Sequence, residues 1–403
     1  MNYTKETIEA LAGTFGSPFY LFDEKGFTEN YHRLEGAMRA LYPEYRIAYS
    51  YKTNYAPYVC RIAKNLGALA EVVSGMEYQL AKQLGYSDDE ILFNGPDKGA
   101  EGVQAFLNGC MINADSLDEL ALYCNAARVD PKRIFRIGLR VNLDVGQNFI
   151  SRFGMDEEDL TKAFRMVEAV PNLKIAGLHC HISRCRDLTA WEQRTVKMLS
   201  LSDRFFSEAP EYLDLGSGMY GSMAPEFAAQ FTNVPSYEEY AQVTAGLVAA
   251  HYNGTKKPIL YTEPGTTLIN RFVDLAAGVE TIKQVRGRWI ATLNCSIHHI
   301  GETGLLKRLP ITVIPNDAQR QYYDSIDLTG YTCLEQDILY PGYSGELSKG
   351  DYIVFGNVGG YSNVLKPPFI RPSCAMIAET PDGGYVLIKR PETYDDLLNT
   401  YVV

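Results

Sequence analysis

Three observations in the 403-residue sequence predict an α/β fold, a (β/α)8 barrel with a second, mainly antiparallel β domain. Short apolar segments alternate with amphipathic, helix-length stretches, and this pattern occurs eight times between residues 46 and 265. The repeats average about 30 residues, the length of one strand–helix unit, and eight units are the number that closes a TIM barrel. After residue 271 the segments become short, β-branched and aromatic, and Gly, Pro, Asn and Asp separate them.

The elements follow in order along the chain. The predicted barrel strands are RIAYSY (46–51), ALAEVVS (68–74), ILFNG (91–95), CMINAD (110–115), RIGLRVN (136–142), IAGLHCHI (175–182), YLDLGSG (212–218) and ILYTEPG (259–265). Between them, stretches such as MEYQLAKQLG and SLDELALYCNAAR carry apolar residues at helical spacing. We predict that residues 25–270 form the barrel. Residues 1–24, which contain the strand-like PFYLFD, join residues 271–403 in the β domain.

Composition excludes several classes of partner. A net charge of -11 argues against nucleic acid or an anionic membrane surface, because both require a basic protein surface. We expect no signal peptide, since no basic region precedes a long apolar stretch near the N-terminus. No apolar run approaches the roughly 20 residues that span a bilayer. Eight cysteines without a Cys-x-x-Cys pair predict reduced thiols in the cytoplasm.

Polar residues and glycines stand at the carboxyl ends of the predicted strands, where barrels of this type collect their chemistry. In order they are Lys52, Ser74, Asn94, Asp115, Asn142, His179, His181, the turn Gly216-Ser217-Gly218, and Glu263. Strand ends are often polar for structural reasons, so each residue alone is also compatible with capping or exposure to solvent. A lysine, two histidines, a glycine-rich turn and a carboxylate at one barrel mouth together indicate a functional site.

Lys52 lies in AYSYKTNY, where strand alternation would place it on one face with Ala48 and Ser50. Small neighbours leave room in front of the amine, which is either a solvated lysine or a nucleophile. The turn in LDLGSGMYG is either a flexible connection or a phosphate site, which such barrels commonly place after strand 7. A lysine and a phosphate site in one mouth suggest covalently held pyridoxal phosphate. Glu263 is then the candidate partner of the pyridine nitrogen.

These motifs, in this order, resemble those of the fold-type III pyridoxal-phosphate-dependent decarboxylases, the group of diaminopimelate, ornithine and arginine decarboxylases, with alanine racemases as a distant branch. Further matching motifs are EVVSGMEYQLAKQLG around Glu71 and SRFGM (151–155). The resemblance implies pyridoxal 5'-phosphate as cofactor, attached to Lys52, with His181 stacked on its ring and Glu263 at its pyridine nitrogen. It also implies contacts to the phosphate from Ser183, Gly216, Ser217, Gly218 and Gly265.

Two motifs in the β domain extend the resemblance. YTCLEQDIL is similar to the segment whose cysteine reaches the active site of the other subunit and protonates the substrate carbon, which implies this role for Cys333. FGNVGGYSNV is similar to the segment whose tyrosine reaches the phosphate or the substrate, which implies Tyr361. A homodimer with composite active sites is therefore expected.

Two departures from the family pattern concern the substrate. Thr266 stands where the family commonly has an arginine, and Leu334 stands where an acidic residue usually binds the distal amine. An apolar side chain cannot pair an ammonium group, and burying an unpaired charge is costly. We therefore expect a larger or conjugated amino acid with a non-cationic distal end. Arg184 and Arg186 either meet a substrate carboxylate or lie on the surface.

The sequence thus predicts a carboxy-lyase that removes the α-carboxylate of an amino acid. An amino-acid racemase on the same scaffold is the alternative, although such racemases usually place an arginine where this chain has Glu263. A metal-dependent hydrolase would use His179, His181 and Cys185 as zinc ligands; we expect no metal because no acidic ligand is close by in the sequence. A cofactor carrier resembles the bare barrel, so the roughly 130 further residues favour an enzyme.

Overall fold

The computed structural model describes residues 3–146, 150–366 and 368–402. Its strands are β1 (Phe19–Asp23), β2 (Tyr45–Ser50), β3 (Leu69–Val72), β4 (Ile91–Phe93), β5 (Met111–Ala114), β6 (Phe135–Arg140), β7 (Leu173–His179), β8 (Tyr212–Asp214), β9 (Ile259–Thr262), β10 (Val273–Val285), β11 (Arg288–Leu293), β12 (Ile311–Ile314), β13 (Gln321–Thr329), β14 (Ile338–Leu347), β15 (Tyr352–Phe355), β16 (Ala375–Glu379) and β17 (Tyr385–Lys389).

The α-helices are α1 (Lys5–Phe15), α2 (Glu24–Leu41), α3 (Pro57–Asn65), α4 (Gly75–Gln83), α5 (Gly99–Asn108), α6 (Leu117–Ala127), α7 (Glu157–Glu168), α8 (Leu188–Phe205), α9 (Pro225–Ala228), α10 (Tyr237–Ala241), α11 (Leu247–His251), α12 (Thr266–Ile269), α13 (Gly301–Leu306) and α14 (Tyr394–Leu398). A π-helical segment, Gln242–Gly246, joins α10 to α11. No helix in the described part of the chain is both long and apolar enough to cross a membrane.

The chain divides into two units. The barrel unit comprises Glu29–Tyr220 and Asn233–Thr267, and the β unit comprises Met1–Thr28, Gly221–Thr232 and Leu268–Val403.

Strands β2 to β9 of the barrel unit form a closed parallel barrel, in which β9 pairs back with β2. Helices cover the outer face of the barrel strands and packed side chains cover the inner face, which is why these strands are nearly continuous apolar runs. β3, β4 and β8, for example, are buried along their whole length. Side chains that fill the barrel include those of Ala48, Leu69, Leu92, Ala176, Tyr212 and Tyr261. The predicted (β/α)8 barrel is confirmed.

Several barrel helices begin at a side chain that caps their first turn. Ser74 accepts a hydrogen bond from the Glu77 amide at 3.2 Å, and Ser116 accepts one from the Glu119 amide at 3.2 Å. Such caps satisfy backbone N–H groups that have no partner inside the helix. The polar character of Ser74 at a strand end is therefore explained by helix capping.

The β unit contains a nine-stranded sheet with the order β14-β13-β11-β10-β1-β16-β17, and β15 pairs with both β10 and β12. Most neighbours are antiparallel, whereas β1 is parallel to β16 and β11 is parallel to β13. The N-terminal strand β1 lies between β10 and β16, so the two ends of the chain share one sheet. The apolar core of the β unit includes Phe19, Leu21, Ala276, Val354 and Ile377.

Residues 221–232 belong to the β unit, although they lie inside the range 25–270 that the sequence predicts for the barrel. Gln230 provides the physical reason. Its side-chain amide donates to the Arg308 carbonyl at 2.7 Å, and its own carbonyl oxygen accepts from the Lys307 ammonium at 2.9 Å. These contacts join residues about 78 positions apart, which a local pattern cannot reveal.

Gly138 of β6 provides a test of packing inside the barrel. A Cβ atom there would lie closer than 3.0 Å to the Tyr212 hydroxyl and to Asn113 Oδ1, closer than real Cβ atoms approach. We expect Gly138→Ala to lower stability by about 1–3 kcal/mol because the site is overpacked. Thermal unfolding should show a melting temperature lower by several degrees.

Gly36 in helix α2 is the matched control, since a Cβ there meets nothing within 4 Å. Gly36→Ala should leave stability unchanged or raise it by about 0.5–1 kcal/mol. A Gly138→Ala protein as stable as the Gly36→Ala protein would contradict the described packing.

Candidate active site

Lys52 lies just beyond β2, which ends at Ser50, so it stands in the 3-10 turn Tyr51–Thr53 and not on the strand. The predicted strand alternation with Ala48 therefore does not reach Lys52. Its Nζ instead donates a hydrogen bond to Glu71 Oε2, which also accepts from Ser50 Oγ at 2.5 Å. The lysine side chain is 28% exposed and that of Glu71 only 1%. A buried carboxylate thus orients an amine that solvent still reaches.

Glu263 follows β9 and is buried, with its side chain 1% exposed. Its Oε1 accepts a hydrogen bond from the Asn94 amide and lies 3.2 Å from His179 Nε2. Its Oε2 lies 3.3 Å from His181 Nδ1. Burial lowers the pKa of both histidines despite the neighbouring carboxylate, so both imidazoles are neutral near pH 7.

A second buried carboxyl group, that of Asp214 at the end of β8, lies beside Glu263. Burial and the negative charge of Glu263 raise the pKa of Asp214 well above its usual value. Burial alone would raise the pKa of Glu263 too, but the interactions with His179 and Lys52 lower it well below its usual value. Two adjacent buried carboxyls cannot both ionise readily. Glu263 is the ionised member of the pair.

The turn after β8 is built from glycines because it passes very close to the loop that follows β7. Gly216 and Gly218 have φ angles of 61° and 105°, which L-residues rarely adopt. A Cβ at Gly216 would lie closer than 3.0 Å to the Cys180 carbonyl, and one at Gly218 equally close to the Ile182 carbonyl. Asp214 Oδ1 accepts from the Gly216 amide at 2.8 Å and holds the start of the turn.

Arg194 of helix α8 also holds this turn, through hydrogen bonds to its backbone carbonyls. It is fully buried and donates to the carbonyls of Leu215 and Ser217, both at 2.9 Å, and to that of Ile182 at 2.7 Å. Because a peptide group is planar and trans, the N–H of Gly218 points away from the Ser217 carbonyl and therefore away from Arg194. The turn thus presents a backbone donor on its free side, as an anion site requires.

Sequence reasoning missed Arg194. The available signal was its position on helix α8, three residues after Trp191 and four before Met198, both of which are buried. A charged residue on the buried stripe of an amphipathic helix needs buried partners. Which partners it has depends on the fold, so the sequence alone does not assign it to the turn.

Ser217 and Ser183 lie on the two loops that approach each other here. The Ser217 amide donates to His181 Nδ1 at 3.3 Å, which orients the imidazole ring. A Cβ built at Gly218 would stand 3.3 Å from the Cα of Ser183, so the two loops are in close contact. The structure therefore brings together His181, Ser183, Gly216, Ser217 and Gly218, and their roles toward a cofactor stay predictions.

Close packing against the turn that carries Lys52 explains why residue 265 is a glycine. A Cβ there would lie closer than 3.0 Å to Oγ1 and Cβ of Thr53, in the turn that carries Lys52. The backbone of Ser50 also approaches, since its amide donates to the Pro264 carbonyl at 3.5 Å. The glycine lets the segment after Glu263 pass directly beside the lysine turn.

Cys333 and Tyr361 lie in the β unit. Cys333 is the exposed member of eight free cysteines. Its loop is organised by the buried Asp337, which accepts hydrogen bonds from Thr332 Oγ1 at 2.6 Å and from the Ile297 amide at 2.7 Å. Tyr361 has a φ angle of 59°, an uncommon conformation for a non-glycine residue that often accompanies functional sites. The roles of these two residues stay predictions.

The ligand set of the hydrolase alternative is not assembled. Cys185 is buried in an apolar cluster with Val145, Ile182 and Ala190. Within the described ranges, the one group of His, Cys, Asp or Glu whose ligand atoms all lie within 4.8 Å is His179, Asp214 and Glu263. Glu263, one of the two carboxyl groups in that set, also belongs to the proposed cofactor site.

A separate cavity of about 380 Å³ lies at the opposite end of the barrel strands. Residues near the amino ends of β5, β6 and β9 line it, among them Met111, Phe135 and Ile259. Catalytic groups in such barrels stand at the carboxyl ends of the strands, so we do not assign the reaction to this cavity.

Three features of the barrel mouth fit pyridoxal phosphate. The glycine turn, which the buried Arg194 holds in place, offers a backbone donor for a phosphate. Lys52 supplies a partly exposed amine. Glu263 supplies an ionised carboxylate in a buried setting, which is the partner that a protonated ring nitrogen requires.

Comparison with known proteins agrees with this fit. Residues 29–270 match the family described as "Pyridoxal-dependent decarboxylase, pyridoxal binding domain". The chain is 26% identical to the diaminopimelate decarboxylase of Aquifex aeolicus, covering 96% of this chain and 92% of that protein. It is also 26% identical to that of Methanocaldococcus jannaschii, covering 98% and 93%. The crystal structure of the latter shares the fold, with a TM-score of 0.85, 24% identity, and coverage of 98% and 94%.

Removal of the buried cation under the glycine turn should weaken cofactor binding. In Arg194→Met, three carbonyls lose their donor, and each unsatisfied buried group costs about 1–3 kcal/mol. We expect the dissociation constant for pyridoxal phosphate to rise by about tenfold or more, measured by titrating apoprotein and following visible absorbance.

Arg204 on the same helix is the control, because its side chain is 56% exposed and pairs with Glu157 at the surface. Arg204→Met should bind the cofactor as tightly as the parent protein. Equal affinity in the two variants would show that Arg194 does not support the turn.

Proposed function

The chain belongs to the pyridoxal-dependent decarboxylase family, and on that premise we propose which residues carry its reaction and which class of amino acid it takes. As a member of this family it is a pyridoxal-phosphate-dependent amino-acid decarboxylase, a carboxy-lyase. Its curated relatives above are decarboxylases, and none of these comparisons favours the racemase alternative.

The observation that carries the proposed roles is the ionised, buried Glu263 in the same mouth as Lys52 and the glycine turn. When bound, the cofactor supplies an electron sink for the bond that breaks as the α-carboxylate leaves as CO2. Glu263 holds the proton of the ring nitrogen through its ionised carboxylate. Lys52 attaches the cofactor through Nζ, and Glu71 Oε2 orients that amine and accepts its proton.

The remaining barrel residues position the cofactor. The backbone of Gly216, Ser217 and Gly218, with Ser183 and Gly265, binds the phosphate. His181 lies against the ring, and the hydrogen bond from the Ser217 amide to its Nδ1 fixes the imidazole plane. Its neutral state, caused by burial, keeps a second positive charge away from the ring.

Cys333 is proposed as the acid that returns a proton to the substrate carbon after CO2 has left, and its thiolate then regains a proton from solvent. Its thiol is exposed on a loop that Asp337 holds in shape. An exposed thiol suits delivery into the site of a second protomer, which supports a homodimer with composite sites. Tyr361 contributes to the phosphate or substrate site in the same way. The eight free cysteines support a reducing, cytoplasmic setting.

The proposed substrate is an amino acid, larger or conjugated, whose distal end carries no positive charge. Leu334 is partly buried, and its amide donates to Thr332 Oγ1 at 3.3 Å, so this apolar residue is an ordered part of the cysteine loop. In the resembled family an acidic residue stands there to bind a distal ammonium. Arg184 and Arg186 follow Ser183 at the barrel mouth and favour a distal carboxylate or other polar acceptor.

Substrate preference tests this proposal. We compare diaminopimelate, ornithine and lysine with the same compounds acylated at the distal nitrogen, in which the α-amine stays free. We expect kcat/KM for the acylated compounds to be higher by about tenfold or more, since an unpaired buried ammonium costs more than about 1.4 kcal/mol. Carbon dioxide release, measured for each compound at equal enzyme concentration, provides the comparison.

Leu334→Glu should reverse the preference by supplying a carboxylate for the ammonium, whereas Glu335→Gln, a change at the exposed neighbouring residue, should leave it unaltered. Rapid turnover of any of the three free diamino acids by the parent protein would sink the proposed substrate class.

A further inference from the structure

Asn94 occupies the centre of the site, although the sequence indicates only that it ends a strand. It directly follows β4 and is buried, with 3% of its surface exposed. Its side-chain amide donates to Glu71 Oε1 at 3.2 Å and to Glu263 Oε1. One amide group therefore joins the carboxylate that holds Lys52 to the carboxylate proposed for the ring nitrogen.

The direction of these hydrogen bonds is fixed by chemistry. An ionised carboxylate can only accept, so the Asn94 nitrogen must face Glu71 and Glu263. Its oxygen then faces Asn113, whose Nδ2 donates to it at 2.8 Å. Asn113 Oδ1 accepts in turn from the Tyr212 hydroxyl at 2.6 Å. Burial raises the pKa of Tyr212 well above its usual value, so the hydroxyl keeps its proton.

This chain of donors has one polarity from Tyr212 to the two carboxylates. No member can rotate without leaving a buried polar atom without a partner, which costs about 1–3 kcal/mol. The members come from strands or strand ends that lie far apart in sequence, since Tyr212 and Asn113 are 99 residues apart and Asn94 and Glu263 are 169 apart. The barrel fold holds the amide in place before any ligand binds.

We propose that Asn94 is a positioning residue that sets the orientation of Glu263 and couples it to the Lys52–Glu71 pair. The inference rests on the proposed role of Glu263 and deepens it, because it names the residue that holds this carboxylate in place. Asn94 donates two hydrogen bonds without adding charge. A carboxylate in its place would instead repel both neighbours.

Asn94→Ala and Asn94→Asp separate a positioning role from a merely structural one. In Asn94→Ala both donors are lost, and we expect the dissociation constant for pyridoxal phosphate to rise by about tenfold or more at every pH. In Asn94→Asp the shape is kept, and the new carboxyl holds its proton at low pH because of burial and the adjacent charges. Its O–H then replaces one of the lost donors.

The aspartate variant should therefore recover cofactor affinity and kcat/KM as pH falls, and lose both as pH rises and the new carboxyl ionises. The alanine variant should show no such recovery. Other titratable groups surround residue 94, so the pH profile of each variant is compared with that of the parent protein. These groups are Lys52, Glu71, His179, His181, Asp214 and Glu263.

Asn125→Asp is the matched control, since Asn125 is exposed on helix α6, where its side-chain oxygen accepts a hydrogen bond from Arg128. It should bind cofactor and respond to pH like the parent protein. Visible absorbance of the bound cofactor gives a readout that does not depend on turnover. If Asn94→Ala does not fold, the pH profile of Asn94→Asp decides alone.

Parent-like affinity and pH profile in the Asn94 variants would overturn the inference while leaving the proposed function intact. A parent apoprotein that takes up no pyridoxal phosphate would overturn both. Low-pH recovery confined to Asn94→Asp is the result that supports the positioning role.

Discussion

The pairing of buried carboxylates with donors at the carboxyl ends of the barrel strands is the constraint on which this site depends. Glu71 and Glu263 are each 1% exposed, and a buried carboxylate is tolerated only when hydrogen bonds and nearby charge compensate its desolvation. Lys52, Ser50 and Asn94 compensate Glu71 and Glu263 directly. The site is thus formed by the folded barrel and is ready to receive a cofactor that brings a cationic ring nitrogen and an anionic phosphate.

The fold could be predicted from the sequence because each strand–helix unit carries its own local signal. Continuous apolar strands, helical periodicity and polar strand ends recur eight times, and the closed barrel follows from their number. Two features escaped. The turn at Tyr51–Thr53 ends the strand before Lys52, and residues 221–232 belong to the β unit through contacts of Gln230. The second depends on partners that are distant in sequence.

The candidate site was only partly predictable for the same reason. Lys52, Glu263, His181 and the glycine turn combine a suitable residue type with a strand-end position, so pattern and chemistry suffice to name them as candidates. Arg194 lies inside a helix, and Asn94 looks like an ordinary polar strand end. Their importance comes from what they contact, namely the carbonyls of a turn and two carboxylates on other strands. Such contacts exist only after the barrel closes.

Reductive trapping of the bound cofactor tests the central claim most directly. Holo-protein would be treated with borohydride, which converts a covalent lysine–cofactor linkage into a stable secondary amine, and the digest would be mapped by mass spectrometry. Our account predicts a phosphopyridoxyl group on the peptide that contains Lys52, with one group per chain. Labelling of another lysine, such as the buried Lys98 that pairs with Glu119, or the absence of any label, would contradict it.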